Sequence, residues 1–122
     1  MTKDNAFDLE DRLIAYAVRV IRVVESLPKT TVGSHIRSQL CRSGTSPAPN
    51  YGEAQGAESR SDFVHKIKIV LKELRETRVW LLMIMRADLV DPTTTLDPLV
   101  AETDELIAIF VASVKTASGR RG

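Results

Sequence analysis

The chain has 122 residues, enough for one domain with a single core, and only 5% of them are aromatic, so that core must be mostly aliphatic. Its one cysteine, Cys41, excludes an internal disulfide and fits a reducing compartment such as the cytoplasm. No basic start followed by an apolar run marks a secretory signal. The longest uninterrupted apolar run, residues 79–85, is far shorter than the roughly 20 residues that cross a bilayer. We therefore predict one cytoplasmic domain, residues 1–122, with no membrane partner.

The net charge of +1 conceals an asymmetry along the chain. Residues 12–86 contain 13 Lys and Arg but six acids, whereas residues 87–106 contain six acids and no base. This division influences what the surface attracts, but it does not select a fold.

The first predicted helix spans about residues 8–27. Its apolar residues recur at steps of three and four, as in a helix with one face in a core: Leu13, Tyr16, Val20, Val23 and Leu27. A second set widens this stripe: Ile14, Ala17, Ile21 and Val24. Pro28 ends the helix, because the residue before a proline disfavours helical geometry.

The second predicted helix spans about residues 31–56, with Thr30 or Thr31 as its cap. Pro47 and Pro49 would each cost about 3 kcal/mol in a helix interior. They are tolerated if Ser46 caps a new helical start, because a first turn has unpaired N–H groups anyway. We therefore expect a helix that is kinked or split near Pro47–Pro49. Four small residues at four-residue steps would leave this helix one bare face for close packing: Gly44, Ala48, Gly52 and Gly56.

The third and fourth predicted helices span about residues 60–88 and 96–117, the third after a cap at Ser59 or Ser61. The third has a bundle seam with alternating steps of four and three: Phe63, Ile67, Val70, Leu74, Thr77, Leu81 and Ile84. The fourth has a shorter one: Leu99, Thr103, Leu106 and Phe110. There is no strand-like alternation and every connection is short. The sequence therefore predicts an all-α, antiparallel up-down-up-down four-helix bundle.

Residues 79–85 of the third helix have no polar side for nearly two turns. A helix that is apolar all round must be covered on more than one side. We predict that this segment forms a contact between copies of the chain, through Val79, Trp80, Leu82, Met83 and Met85. The alternative is that Trp80 and Met83 cover the end of the bundle, under the loop at residues 91–95.

No constellation of residues predicts an enzyme. Asp62 and His65 are three apart, but a carboxylate-bundle metal site needs such a pair on two helices and further glutamates. Cys41 has only Arg42 beside it, which does not make a catalytic nucleophile. No glycine-rich loop has the spacing or the lysine of a phosphate site. We predict no catalytic residue, cofactor, metal or small-molecule substrate.

Asn50 and Glu53 follow the two prolines and have small neighbours, so we expect them to be partly buried. A buried carboxylate needs donors, and Arg75 or Arg78 of the third helix would supply them. The pattern predicts a polar clamp between the second and third helices.

The third helix also has a basic surface, which is the basis of a second hypothesis for function. Its members are Lys66, Lys68, Lys72, Arg75 and Arg78, with His65 beside them. Lys68 and Lys72 repel each other at a four-residue spacing, which favours an external anion such as a phosphate backbone. The chain is barely basic overall and has no base-reading motif, so an ordinary solvated surface is the alternative.

Three stretches together resemble a known family: residues 36–54, 61–63 and 71–77. They are similar to bacterial four-helix bundle proteins first noticed as reading frames within intervening sequences of large-subunit ribosomal RNA genes. The family pattern has a Gln-Leu-x-Arg helix, a proline followed by Asn-x-x-Glu, and a Glu-Leu-x-Glu helix. The matching residues of this chain are Pro47, Asn50, Glu53, Glu73, Leu74 and Glu76. Pro49 before Asn50, and Ala54 in place of the usual glycine, depart from the pattern.

The resemblance covers about residues 8–115 and implies a ring-like homopentamer of largely uncharacterised role. The accessory proteins of diversity-generating retroelements are a related group. The resemblance to them implies a partner that is a nucleic acid or a protein such as a reverse transcriptase. The family pattern includes no catalytic residues.

Overall fold

The computed structural model describes the backbone of residues 3–119 and the side chains of residues 8–119. Its α-helices are α1 (Lys3–Ser26), α2 (Thr31–Thr45), α3 (Pro47–Gln55), α4 (Arg60–Arg86) and α5 (Asp97–Ala117), and a 3-10 turn, Thr93–Leu96, leads into α5. No strand occurs in residues 3–119. α2 and α3 together form the second helix of the bundle, which is bent by 22°. The predicted all-α four-helix fold with a kinked second helix is confirmed.

The four helices of the bundle lie at the corners of a square. α1 packs beside α2, α3 and α5, and α4 packs beside the same three helices, whereas no described Cα atom of α1 lies within 8 Å of one in α4. α1 and α4 are therefore diagonal. In antiparallel neighbours, residues later in one helix contact residues earlier in the other. Between α2 and α4, for example, Ser43 meets Thr77 whereas His35 meets Trp80.

The ends of the helices follow from local hydrogen bonding. The side chain of Thr30 caps α2 by accepting from the N–H of Gly33 at 3.0 Å, and Ser59 caps α4 by accepting from the N–H of Asp62 at 3.0 Å. At the end of α4, Asp88 adopts a positive φ of 56°, and the Leu89 N–H reaches back to the Ile84 carbonyl. This is the left-handed termination that usually uses glycine.

The bend at Pro47 does not arise from a cap at Ser46. Ser46 has helical backbone angles, φ −75° and ψ −36°, and its side chain caps no N–H group. Its carbonyl and hydroxyl oxygens instead accept from the Asn50 side-chain amide at 3.0 and 2.8 Å. The predicted cap is therefore wrong, because the helix continues through Ser46 and bends where two prolines remove N–H donors.

The core is aliphatic with three buried aromatic rings, Tyr16, Tyr51 and Phe110, and the last two pack edge to face at 5.7 Å. Each bundle helix contributes fully buried side chains: Leu13, Tyr16, Val20, Leu40, Ile67, Val70, Leu74, Leu81, Ile84, Leu106 and Phe110. The predicted seams of α4 and α5 are buried in this core, except that Phe63 is only partly buried. No described helix is both long and apolar enough to cross a membrane.

The predicted bare face of the second bundle helix is used at one position. A Cβ atom on Gly44 would lie 2.5 Å from Cγ1 of Val20, so only glycine allows α2 to approach α1 this closely. Gly52 and Gly56 have more room, with nearest atoms at 3.9 and 3.8 Å. Close packing of this face is therefore confined to the end of α2.

Candidate interaction surfaces

The outward side of α4 and the start of α2 form one apolar surface, which we call the α2/α4 patch. It consists of Val32, Ile36, Val79, Leu82 and Met83. A groove is lined by Ile36, which is itself buried, and by Val79, Leu82, Met83, Arg86 and Ala87, and Val32 lies one helical turn before Ile36. Val32, Val79 and Met83 are 57, 49 and 45% exposed, although each is large and apolar. Such a group of side chains is typical of a contact surface.

Trp80 and Met85 lie outside this patch. Trp80 packs edge to face against His35 of α2, with ring centres 5.8 Å apart, and donates its indole N–H to Glu76 at 3.0 Å. Met85 is partly buried against the core. The structure therefore places Trp80 against α2, and it leaves Met83 45% exposed. Of the five residues predicted to form an interface, Val79 and Met83 point most clearly outward.

A second exposed apolar surface lies on α1 and consists of Ile14, Val18 and Ile21, which we call the α1 patch. These side chains are between 38 and 47% exposed and follow one another at helical steps of four and three. Ile14 and Ile21 were predicted as part of the wide apolar stripe of the first helix, and in the structure they are 47 and 38% exposed. The signal was present in the width of the stripe, because a core-facing stripe needs only about 100° of a helix.

The predicted basic surface is divided by ion pairs within the chain. Lys66 donates to Glu53 at 2.7 Å, which raises the pKa of Lys66, and Arg78 donates to Asp104 at 2.5 Å. Lys68, Lys72 and Arg75 remain exposed. Lys72 has only a long contact of 4.0 Å to Glu73.

The exposed part of the basic surface continues onto α5. Lys68 and Arg75 line a shallow groove with Lys115, and Lys68 also lines a neighbouring groove with Arg60 and His65. Neither groove has an acidic residue among its lining residues. Arg60 and Lys115 were not predicted from the sequence, because their proximity to Lys68 depends on α5 ending beside the start of α4.

The two signature helices meet in a polar clamp between α2 and α4. Arg42, the arginine of Gln-Leu-x-Arg, donates from Nη1 to Glu73 Oε1 at 3.0 Å and from Nη2 to Glu76 Oε2. Gln39 also accepts from Arg42, at 3.1 Å. The leucines of the two motifs, Leu40 and Leu74, are fully buried beside these groups. The signature therefore joins two helices and maintains the fold.

The predicted clamp from Asn50 and Glu53 to Arg75 or Arg78 is wrong. Glu53 is exposed and pairs with Lys66, whereas Arg78 pairs with Asp104 of α5. Asn50 bonds within its own helix, to Ser46. Glu53 lies on the outer side of the short helix α3, so it does not need buried donors.

Polar groups also join α1 to α5. Arg12 holds Glu102 through two hydrogen bonds of 2.7 Å each and reaches Glu105 at 3.0 Å. Hydrogen bonding from Arg12 lowers the pKa of Glu102. The hydroxyl groups of Tyr16 and Thr103 lie 2.7 Å apart in the core, and burial raises the pKa of Tyr16 to about 12.

No group of three or more His, Cys, Asp or Glu side chains in the described part of the chain is arranged to hold a metal ion. Near the start of α4, Asp62 is partly buried and His65 is exposed. Cys41 is a free, half-buried thiol.

Comparison with known proteins identifies the family. A solved structure similar to this chain is that of a protein of unknown function from the S23 ribosomal protein family of Bacteroides thetaiotaomicron. The TM-score is 0.80 at 29% sequence identity, and the match covers 87% of this chain and 97% of that one. A comparison with curated proteins gave no match. The family model described as 23S rRNA-intervening sequence protein matches residues 7–112, and the chain therefore belongs to that family.

Proposed function

We propose that the protein is a non-enzymatic scaffold, a helical bundle that assembles with copies of itself into a ring. The observation that carries this proposal is the α2/α4 patch, where Val32, Val79 and Met83 are about half exposed on a chain with a well-filled core. Large apolar side chains in one group cost free energy in water, at about 25 cal/mol per Å² of apolar area, and a second copy would remove that cost. The family resemblance favours five copies.

The proposal is tested by Met83→Glu, which puts a charge into the patch. Because Met83 is 45% exposed, the substitution leaves the core of the bundle intact. We expect the variant to keep its helical circular dichroism and to have a lower mass than the parent by light scattering after size exclusion. Ala101→Glu, at an exposed position of α5 outside the patch, is the matched control and should keep the parent's mass. A Met83→Glu variant with unchanged mass would refute the role of this patch.

A second function, nucleic-acid binding, is favoured by the exposed basic residues at the end of the bundle. Lys68, Lys72 and Arg75 form one outward surface of α4, and Lys115 and Arg60 extend it. Cations without nearby acids attract a phosphate backbone, and the release of counterions makes such binding salt-dependent. As part of an assembled ring, the lysines of this surface, Lys68, Lys72 and Lys115, would be repeated in every copy.

The test is the fluorescence anisotropy of a labelled single-stranded RNA at several salt concentrations. The double variant Lys68→Glu/Lys72→Glu should bind more weakly and with a smaller dependence on salt than the parent. Arg19→Glu/Lys29→Glu makes the same change in net charge on and just after α1, away from this surface, and as the control it should bind like the parent. No binding by the parent near 50 mM salt would exclude this function.

The single thiol of Cys41 supports a cytoplasmic location for either function, since a free half-buried cysteine is stable in a reducing compartment.

A further inference from the structure

The exposed large apolar side chains of the described residues fall into two separate groups. One is the α2/α4 patch and the other is the α1 patch. α1 and α4 are diagonal in the bundle, so their outward sides point in opposite directions. One chain therefore cannot cover one patch with the other, and each copy offers two different apolar surfaces on opposite sides.

The charges at the ends of the two patches are opposite. On α1, Asp11 lies one turn before Ile14 and Glu25 lies one turn after Ile21, and both acids are exposed. The Asp11–Glu25 pair spans about 21 Å of helix at about 1.5 Å per residue. Arg22, which is also exposed, lies one turn after Val18 and three residues before Glu25, at the edge of the strip. The α1 patch is therefore an apolar strip with an acid at each end and one arginine at its edge.

On α4 the same arrangement has the opposite sign. Arg75 lies one turn before Val79 and Arg86 lies one turn after Met83, and both are exposed. They span about 17 Å of helix. The nearby acid, Glu76, is already held by Arg42 and Trp80 within the chain. The outward strip of α4 is therefore apolar with a base at each end.

From this complementarity we propose that the α1 patch of one copy binds the α2/α4 patch of the next copy. This inference rests on the proposed self-association and specifies which surfaces meet. Val18 and its two neighbours would cover the groove of Val79 and Met83, while the acids at the ends of one strip meet the arginines of the other. Charge complementarity of this kind fixes the pairing more than it adds affinity.

The two symmetric alternatives bring like charges together. If two α2/α4 patches met across a twofold axis, Arg75 and Arg86 of one copy would approach the same arginines of its partner. If two α1 patches met, Asp11 and Glu25 of one copy would approach the same acids of its partner. Like charges facing each other across an interface are unfavourable. A contact between two different surfaces instead leaves one patch of each kind open, so addition continues until a ring closes.

The test uses Val18→Glu and Met83→Glu, each of which disables one patch, and light scattering of each variant alone and of their equimolar mixture. In the proposed pairing each variant alone is a monomer, because every junction needs both patches. The mixture contains one intact patch of each kind and should give a complex of two chains. Ala101→Glu, at an exposed position of α5 outside both patches, should leave the parent's mass unchanged.

Three other results would overturn the inference. A Val18→Glu variant with the parent's mass would show that the α1 patch is not used. Dimers of each variant alone would indicate two symmetric contacts, and a mixture that stays monomeric would show that the two patches do not bind each other. A parent protein that is itself a monomer would refute the proposed self-association, which is a separate failure.

Discussion

Replacing Arg42 with methionine should destabilise the fold, because Arg42 is the donor in the clamp between α2 and α4. The Glu73 side chain is only 10% exposed, so its carboxylate depends on Arg42 for a partner, and afterwards only the 4.0 Å contact to Lys72 remains. A hydrogen bond to a charged group contributes about 1.5–3 kcal/mol. Arg42 is itself 49% exposed, which lets water replace part of the loss. We therefore expect the free energy of unfolding to fall by about 2 kcal/mol.

The assay is urea unfolding followed by circular dichroism at one fixed protein concentration, since self-association makes apparent stability depend on concentration. Arg78→Met is the matched control: its partner Asp104 is half-exposed, so the loss should be at most about 1 kcal/mol. In the double variant Arg42→Met/Glu73→Gln, a neutral amide replaces the unpaired carboxylate, so part of the lost stability should return. If Arg42→Met unfolds within about 0.5 kcal/mol of the parent, the clamp does not stabilise the fold.

Three further predictions concern packing, pH and the end of α4. In Gly44→Ala, the new methyl group should overlap Val20 and lower the free energy of unfolding in urea by about 1–2 kcal/mol. Gly56→Ala, at an open site, should not lower it, and equal effects of the two substitutions would contradict the close approach of α2 to α1. The lowered pKa of Glu102 means that its pairing stabilises the protein above the unfolded-state pKa of about 4.3 and is lost as pH falls through the lower folded value. Arg12→Met should therefore lose about 1–2 kcal/mol at neutral pH and show a smaller further loss between pH 5 and 2 than the parent, and parallel pH profiles would count against this pair. Because Asp88 has a positive φ, Asp88→Gly should raise the thermal midpoint, with a gain in stability of up to about 1 kcal/mol, and an unchanged or lower midpoint would argue against strain at this residue.

The periodicity of the sequence was sufficient to predict the fold. The seam of α4 from Ile67 to Ile84 is buried, and the prolines mark the bend in the second bundle helix. These features depend on local spacing and backbone chemistry, which a sequence shows directly. The partner of each polar side chain was harder to predict, because Glu73 meets Arg42 through a contact between residues 31 apart.

The candidate surfaces were predicted only in part, because the exposure of a side chain depends on contacts between residues far apart in the sequence. Val79 and Met83 were identified because α4 is apolar all round there, and the structure shows them exposed. Ile14 and Ile21 were counted in the apolar stripe of the first helix, because one helix cannot show how much of that stripe its neighbours cover. That coverage depends on which neighbouring helices pack over this side of α1, and both side chains are exposed.

Native mass spectrometry of the unmodified protein tests the central claim most directly, because it counts the copies in the assembly. The proposed ring predicts one dominant species with more than two chains of 13.5 kDa, and five if the family resemblance holds. A single chain as the dominant species at micromolar concentration would contradict the claim. A dimer would contradict the ring and point to a twofold contact through one patch.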